Sequence, residues 1–175
     1  AGRRVCEVPL VYRVRESGSS KARIWRFGLS YLHVLKRMWS VRNSAAAADY
    51  DSRAFDSIIP PQRYWQRRRY AILRDFIAET PGLVVDVGCG SSRTIQSMPE
   101  AVAADFWLPK LRYLARTNPL RCRLTIFRLP FKDAAFDTAV CSQVIEHVPY
   151  DESIFSELNR VLKAGGRLII GTPDY

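Results

Sequence analysis

Asp86, Gly88 and Gly90 close the run Val84-Val85-Asp86-Val87-Gly88-Cys89-Gly90-Ser91-Ser92, and their types and spacing suit a ligand held against bare backbone. Glycine reaches positive φ without penalty and lets the main chain approach a bulky ligand where a Cβ would clash. The acid falls where a short apolar strand would end, and open α/β sheets bind ligands at that end. A second apolar run, Ala101-Val102-Ala103-Ala104, leads into Asp105, about nineteen residues after Asp86. An acid at that spacing can accept hydrogen bonds from ribose hydroxyls. These residues imply a nucleotide-type cofactor. A dinucleotide fingerprint reads G-x-G-x-x-G and aims a helix N-terminus at a pyrophosphate. Arg93 holds the third glycine's place, which weakens that class. Cys89, inside the loop, reads as a small residue tolerated there rather than a nucleophile.

The same string resembles the first motif of class I S-adenosylmethionine-dependent methyltransferases, D-x-G-x-G-x-G, with Ser92 in place of the last glycine. Other stretches resemble that family independently. Phe106-Trp107-Leu108-Pro109-Lys110-Leu111 is similar to its continuation after the second acid, where Phe106 and Trp107 either flank the cofactor or pack a helix start. Residues 129–140 resemble the passage into the fourth strand, residues 142–149 the segment after it, and residues 158–173 the closing helix and fifth strand. The resemblance implies S-adenosylmethionine as cofactor, with Asp86, Gly88, Cys89, Gly90, Asp105, Phe106 and Gln143 around it. Thr125 and Ile126 would meet the adenine. Relatives commonly carry an aspartate at the place of Thr125, whose hydroxyl can still accept from an amine, while the Ile126 backbone N–H can serve a ring nitrogen. His147 would lie where acceptor and sulfonium meet. Its titration range suits a general base, and a packed structural histidine is the other reading. Methyl transfer from a sulfonium uses an electrophile already activated, so the protein chiefly holds two reactants together. A base is needed only where the acceptor must lose a proton.

Elements must hold these residues in place, and the pattern predicts a Rossmann-like α/β core with a mostly parallel sheet. Strands are expected near 84–87, 101–105 and 136–141. An amphipathic helix with Phe155, Leu158, Val161 and Leu162 on one face should end at Gly165-Gly166, where a fifth strand begins. A helix should run from Pro60-Pro61 through Glu79, with Tyr64 and Tyr70 as candidate lid residues and Arg67, Arg68 and Arg69 as a solvated face or a phosphate contact. The family's sheet continues beyond its fifth strand, whereas this chain stops at Tyr175 and begins at Ala1 without methionine. The reading is a core incomplete at its C-terminus, a piece of a longer protein from which full activity is not expected alone.

A 47% hydrophobic and 25% charged composition over 175 residues suits one α/β domain with an appendage. Four cysteines without C-x-x-C spacing and only two histidines imply a reducing compartment and no metal. No run of eighteen apolar residues predicts a transmembrane helix. Residues 1–80 hold sixteen of the basic and seven of the acidic side chains, leaving eleven and ten for the rest, so the net charge of +10 sits almost wholly in the first half. Within that half, Glu7, Val8, Pro9, Arg15, Gly18, Ser20 and Lys21 resemble the end of the catalytic domain of polyprenol-phosphate mannose synthase-like, family-two glycosyltransferases. Residues 27–42 read as an amphipathic helix with a basic polar face, suited to a membrane interface or to packing on its own domain. The expected organisation is a glycosyltransferase-like tail over 1–43, a linker over 44–49, and an S-adenosylmethionine-binding domain over 50–175.

The functional expectation is methyl transfer to a small-molecule or lipid-linked glycan acceptor, within a glycosyltransferase–methyltransferase fusion. Its expected location is cytoplasmic, with peripheral contact at the inner face of the membrane. Two other readings compete. A nucleic-acid methyltransferase or RNA-binding module is motivated by the arginines, but no RNA-binding motif accompanies them, so nucleic acid is not the expected partner. A cofactor-binding scaffold without catalysis is motivated by Ser92 and Thr125.

Overall fold

A computed structural model describes residues 24–172. The glycosyltransferase-like residues between Glu7 and Lys21 lie outside the described residues, as do Cys6 and Pro173. Two compact units divide the chain, Ala1–Met38 and Trp39–Tyr175. Helix α1, Ile24–Arg42, starts three residues before the expected helix. Its described side chains are exposed, among them Trp25, Phe27, Tyr31, Leu32, Leu35 and Met38.

The second unit carries a five-stranded sheet in which every pairing is parallel. The strands are β1 (Val84–Val87), β2 (Val102–Asp105), β3 (Arg121–Arg123), β4 (Phe136–Ser142) and β5 (Leu162–Gly171), in the order β3-β2-β1-β4-β5. The chain therefore leaves β1 toward one edge and returns beside it with β4. That reversal opens a crevice at the carboxyl ends of β1 and β4, the place where such sheets bind ligands.

Period-two alternation sorts the strand residues between two faces. Val85, Val87, Ala104, Ala139 and Cys141 face Ile154, Leu158 and Val161 of α5 (Glu152–Val161). Val84, Ala103, Val140 and Ile169 face Tyr70, Leu73 and Ile77 of α3 (Pro60–Ala78), together with Leu111 of α4 (Leu108–Tyr113). Asp86 shares the parity of Val84, so its carboxyl enters the α3 side. Pro60 and Pro61 open α3, where a missing N–H costs nothing. The Asp151 side chain caps α5 by accepting from the Ser153 N–H at 2.8 Å.

The end of α5 departs from the sequence expectation. The helix stops at Val161 and β5 begins at once, with Leu162 pairing with Phe136 and Arg167 with Thr138. Residues 163–166 loop out between those pairs, and Lys163 donates to both Asp137 oxygens at 2.8 and 2.9 Å. Gly165 takes φ +77°, so the paired glycines shape a bulge within the strand rather than a helix end. The buried face of α5 uses Ile154 in place of Phe155, which is 39% exposed.

Residues 44–49, read from sequence as a linker, belong to a series of turns that begins at Asn43. Asn43 Oδ1 accepts from Arg53, and the Ala46 carbonyl accepts from Trp107 Nε1 at 3.1 Å. They lead into the short helix α2, Tyr50–Phe55. Among the described residues no helix is long and apolar enough to cross a membrane, and no group of three or more metal-ligating side chains comes together.

Candidate active site

The turn after β1 bends because Gly88 and Gly90 adopt φ +76° and +58°. A Cβ on Gly88 would run into Val144 Cγ2, and one on Gly90 would meet the Asp51 carboxylate. Asp105 at the end of β2 fixes the turn: Oδ2 accepts from the Gly90 N–H at 2.8 Å and Oδ1 from the Trp107 N–H at 2.6 Å. Each oxygen keeps a second lone pair.

Helix α2 clasps the same turn from outside. Asp51 Oδ2 accepts from the Ser91 N–H (2.9 Å), the Ser91 hydroxyl (3.0 Å) and Lys110 Nζ (3.2 Å). The Ser91 Oγ in turn accepts from the Asp51 N–H at 3.1 Å. Arg93 extends the clasp, with Nε donating to Ser52 Oγ at 3.1 Å, a contact to Asp56 and its guanidinium 4.9 Å from the Phe55 ring centre. The residue in the third glycine's place thus fastens the loop to α2.

Two cavities open on this turn. One, of about 420 Å³, is walled by Leu124, Ile126, Phe127, Val144 and Val148, with Asp105, Phe106 and Thr125 at its margin. The other, of about 360 Å³, lies under α3 and is lined by Asp51, Trp65, Gln66, Arg69, Tyr70, Asp86, Cys89 and Ser142, among others. They share Gly88, Lys110, Gln143 and His147. Gln143 sits on this seam at φ +60°, a conformation unusual for a residue with a Cβ, and its N–H donates to the Gly171 carbonyl at 2.6 Å.

Burial first, and then the neighbouring Asp105, push the Asp86 carboxyl up to about 7. Burial likewise pushes the Cys89 thiol well up, which keeps it a protonated filler. Phe106 is 61% exposed, with Arg123 5.4 Å above its ring centre. His147 lies on a single 3₁₀ turn, exposed at the seam.

The sequence-expected residues Asp86, Gly88, Cys89, Gln143 and His147 line the α3-side cavity, and Gly88, Asp105, Phe106, Thr125, Ile126, Gln143 and His147 line the other. Gly90 borders neither cavity and serves through its N–H to Asp105. Of the two candidate lid tyrosines, Tyr70 lines the cavity under α3, while Tyr64 is 72% exposed and lines neither of the two cavities. Sequence reasoning missed Asp51, Gln66, Arg69 and Lys110. One signal was present: Gln66, Tyr70, Leu73 and Ile77 share the buried stripe of α3, and a glutamine in an apolar stripe marks a polar opening.

Residues 85–170 match a family described as a methyltransferase domain. Demethylmenaquinone methyltransferase of Thermobifida fusca is 31% identical over 120 residues, 62% of this chain and 50% of its own. Ubiquinone biosynthesis O-methyltransferase of Xanthomonas oryzae pv. oryzae is 31% identical over 100 residues, 51% of this chain and 42% of its own. A SAM-dependent methyltransferase from Thermotoga maritima superposes with a TM-score of 0.53 at 23% identity, covering 67% of this chain and 59% of that one. The chain spans about half the length of the curated relatives it matches.

S-adenosylmethionine suits the cavity walls. Its adenosine requires an apolar slot with an acceptor for the ribose diol, and the larger cavity offers both at Leu124, Ile126 and Asp105. Its charged end requires buried polar groups, and Gln66 Oε1, Arg69 Nε, Tyr70 Oη and Ser142 Oγ stand without hydrogen-bond partners around the other cavity. The glycine turn, the paired cavities, the parallel sheet and the family match agree that residues 85–170 form a class I methyltransferase domain whose cofactor is S-adenosylmethionine.

Proposed function

We propose that the protein transfers a methyl group to a small-molecule or lipid-linked acceptor that shares the cavity under α3 with the charged end of the cofactor. The observation carrying this reading is the seam: two cavities of different character share Gly88, Lys110, Gln143 and His147. In this reading Asp105, Ile126 and Thr125 hold the adenosine, and Gly88 lets backbone lie against it. The bound cofactor supplies a methyl group already activated by positive sulfur. The chain's own contribution is proximity and exclusion of water, worth about 7–11 kcal/mol of barrier where two reactants are held in line. His147, exposed at the seam, is assigned to take the acceptor's proton where the accepting atom is oxygen.

A lipid-linked acceptor is favoured by three things. The tail around Glu7-Val8-Pro9 resembles enzymes that work on polyprenyl phosphates, consistent with a glycosyltransferase fusion. Helix α1 exposes aromatic and aliphatic side chains beside Lys36, Arg37 and Arg42. Two relatives are named for quinones, and quinones of that kind are lipid-soluble. The RNA reading is weaker because the arginine cluster is partly spent: Arg67 lies over Phe55 and pairs with Asp56, and Arg69 packs on Trp65 and Tyr70.

The test is incubation with methyl-labelled S-adenosylmethionine and, in parallel, a membrane lipid extract or total RNA. Label should enter the organic phase, and less of it for His147→Ala if the accepting atom is oxygen. Label appearing only in RNA would replace this reading with the nucleic-acid one. Tight cofactor binding without label in either fraction would favour the scaffold.

A further inference from the structure

We propose that a cleft formed by α2, the segment after the glycine turn and α4 binds a small organic phosphate monoester, its phosphate on Arg112 and Arg116 and its organic body against Tyr113. This site is separate from the one for methyl transfer.

The cleft, of about 550 Å³, is lined by three arginines, Arg93, Arg112 and Arg116, and by no carboxylate. Its remaining lining side chains, Ser52, Gln96, Tyr113 and Thr117, all carry an O–H or N–H. None of these seven residues lines either cavity of the candidate active site. Asp51 lines the cavity under α3 while its neighbour Ser52 lines this cleft, so the two sites adjoin through α2 without sharing a side chain.

Charge balance selects the ligand. Arg93 is already satisfied, paired with Asp56 and donating to Ser52 Oγ at 3.1 Å. Neither Arg112 nor Arg116 takes part in a side-chain hydrogen bond, ion pair or ring contact among the described residues. They stand four residues apart, at the end of α4 and in the 3₁₀ turn Leu114–Arg116 that follows it, and both reach the same cleft. Like charges at that spacing repel, a cost that one shared anion removes. With Arg93 and Asp56 cancelling, two positive charges remain. A phosphate monoester carries about −1.5 to −2 at neutral pH and meets both; a carboxylate or a phosphodiester leaves one unmet. The volume lies within the range of about 300–1,000 Å³ usual for small-molecule sites, and the half-exposed Tyr113 ring offers a surface to the rest of the molecule. The basic cleft beside Arg123 and Arg160 differs, because Arg160 is spent on Glu157, Asp133 and two carbonyls, and Arg123 on the Phe106 carbonyl.

The test is calorimetric titration of the whole chain, with S-adenosylmethionine present in excess, using ribose 5-phosphate, ribose, inorganic phosphate and a soluble short-chain phosphatidic acid. At least one of the two esters should bind more tightly than inorganic phosphate, and ribose should not bind. The tighter ester identifies the source as a soluble metabolite or a lipid head group. Arg112→Gln and Arg116→Gln should each weaken the ester about tenfold, the worth of one charge-assisted hydrogen bond, with the melting temperature unchanged or raised. Unchanged affinity in both variants would place the anion elsewhere, on the basic first half, and overturn the proposal. Equal affinity for inorganic phosphate and both esters would do the same, as would displacement of S-adenosylmethionine or no binding of any phosphate. An RNA oligonucleotide that binds more tightly than either ester, with a steep salt dependence, would make the arginines a nucleic-acid face instead.

Discussion

Asp86 is a carboxyl whose charge is set by its surroundings. Unfolded, it ionises near 4; folded, burial and Asp105 raise it to about 7. Between those values the folded state holds more protons than the unfolded one, so this group's contribution to stability falls as pH rises from about 4 to 7 and is level above. Asp86→Asn should flatten that decline, measured as the difference in melting temperature between pH 5 and pH 8. A cationic ligand beside Asp86 favours the ionised form, so S-adenosylmethionine binding at pH 6 should release protons. Calorimetry in two buffers of different ionisation enthalpy would detect this, and equal apparent enthalpies would count against it. Gln143 is strained at φ +60°. Gln143→Gly should therefore stabilise the fold by about 1 kcal/mol while weakening ligand binding at the seam. At this scale the sequence was legible where chemistry has a spacing, as with Asp86, Gly88 and Asp105. It was not legible at Arg69, one of three consecutive arginines, because only the rotation of α3 decides which of them turns inward.

The elements were legible where apolar periodicity is strong and less so where backbone detail decides. Strands β1, β2 and β4 fall close to their expected positions, since a buried parallel strand reads as an unbroken apolar run. The junction after α5 was misjudged because Gly165-Gly166 reads equally as a helix stop and as a bulge. What separates the two is the Lys163–Asp137 pair, a contact with a residue 26 positions away. Leu158 is fully buried between α5 and the sheet. Leu158→Ala should cost about 2–5 kcal/mol, seen in denaturant titration with an unchanged slope. Gly88→Ala is a different kind of test, because its Cβ would displace Val144 from the wall of the larger cavity. It should abolish S-adenosylmethionine binding while leaving the circular dichroism of the sheet in place. Retained affinity would mean that the turn can relax in a way its contacts do not suggest.

For the whole molecule, charge is unevenly distributed. Helix α1 has no acidic residue, and its described apolar side chains are exposed. Each basic residue near an anionic bilayer is worth about 1 kcal/mol at moderate salt. The chain should co-sediment with phosphatidylserine-containing vesicles, less with neutral ones, and be released as salt rises; salt-independent binding would argue for apolar insertion alone. The clasp between Asp51, Ser91 and Lys110 has another consequence. The family match begins at residue 85, but Asp51, Gln66, Arg69 and Tyr70 precede it and build much of one cavity wall. A graft of residues 85–170 onto a foreign leader would transplant the nucleoside slot but leave behind that wall of the second cavity. If the acceptor shares that cavity as proposed, such a hybrid would take its acceptor preference from the leader, so this stretch upstream of the recognisable domain is where selection or engineering could exchange one acceptor for another, provided that the hold of Asp51 on the Ser91 N–H and hydroxyl is kept.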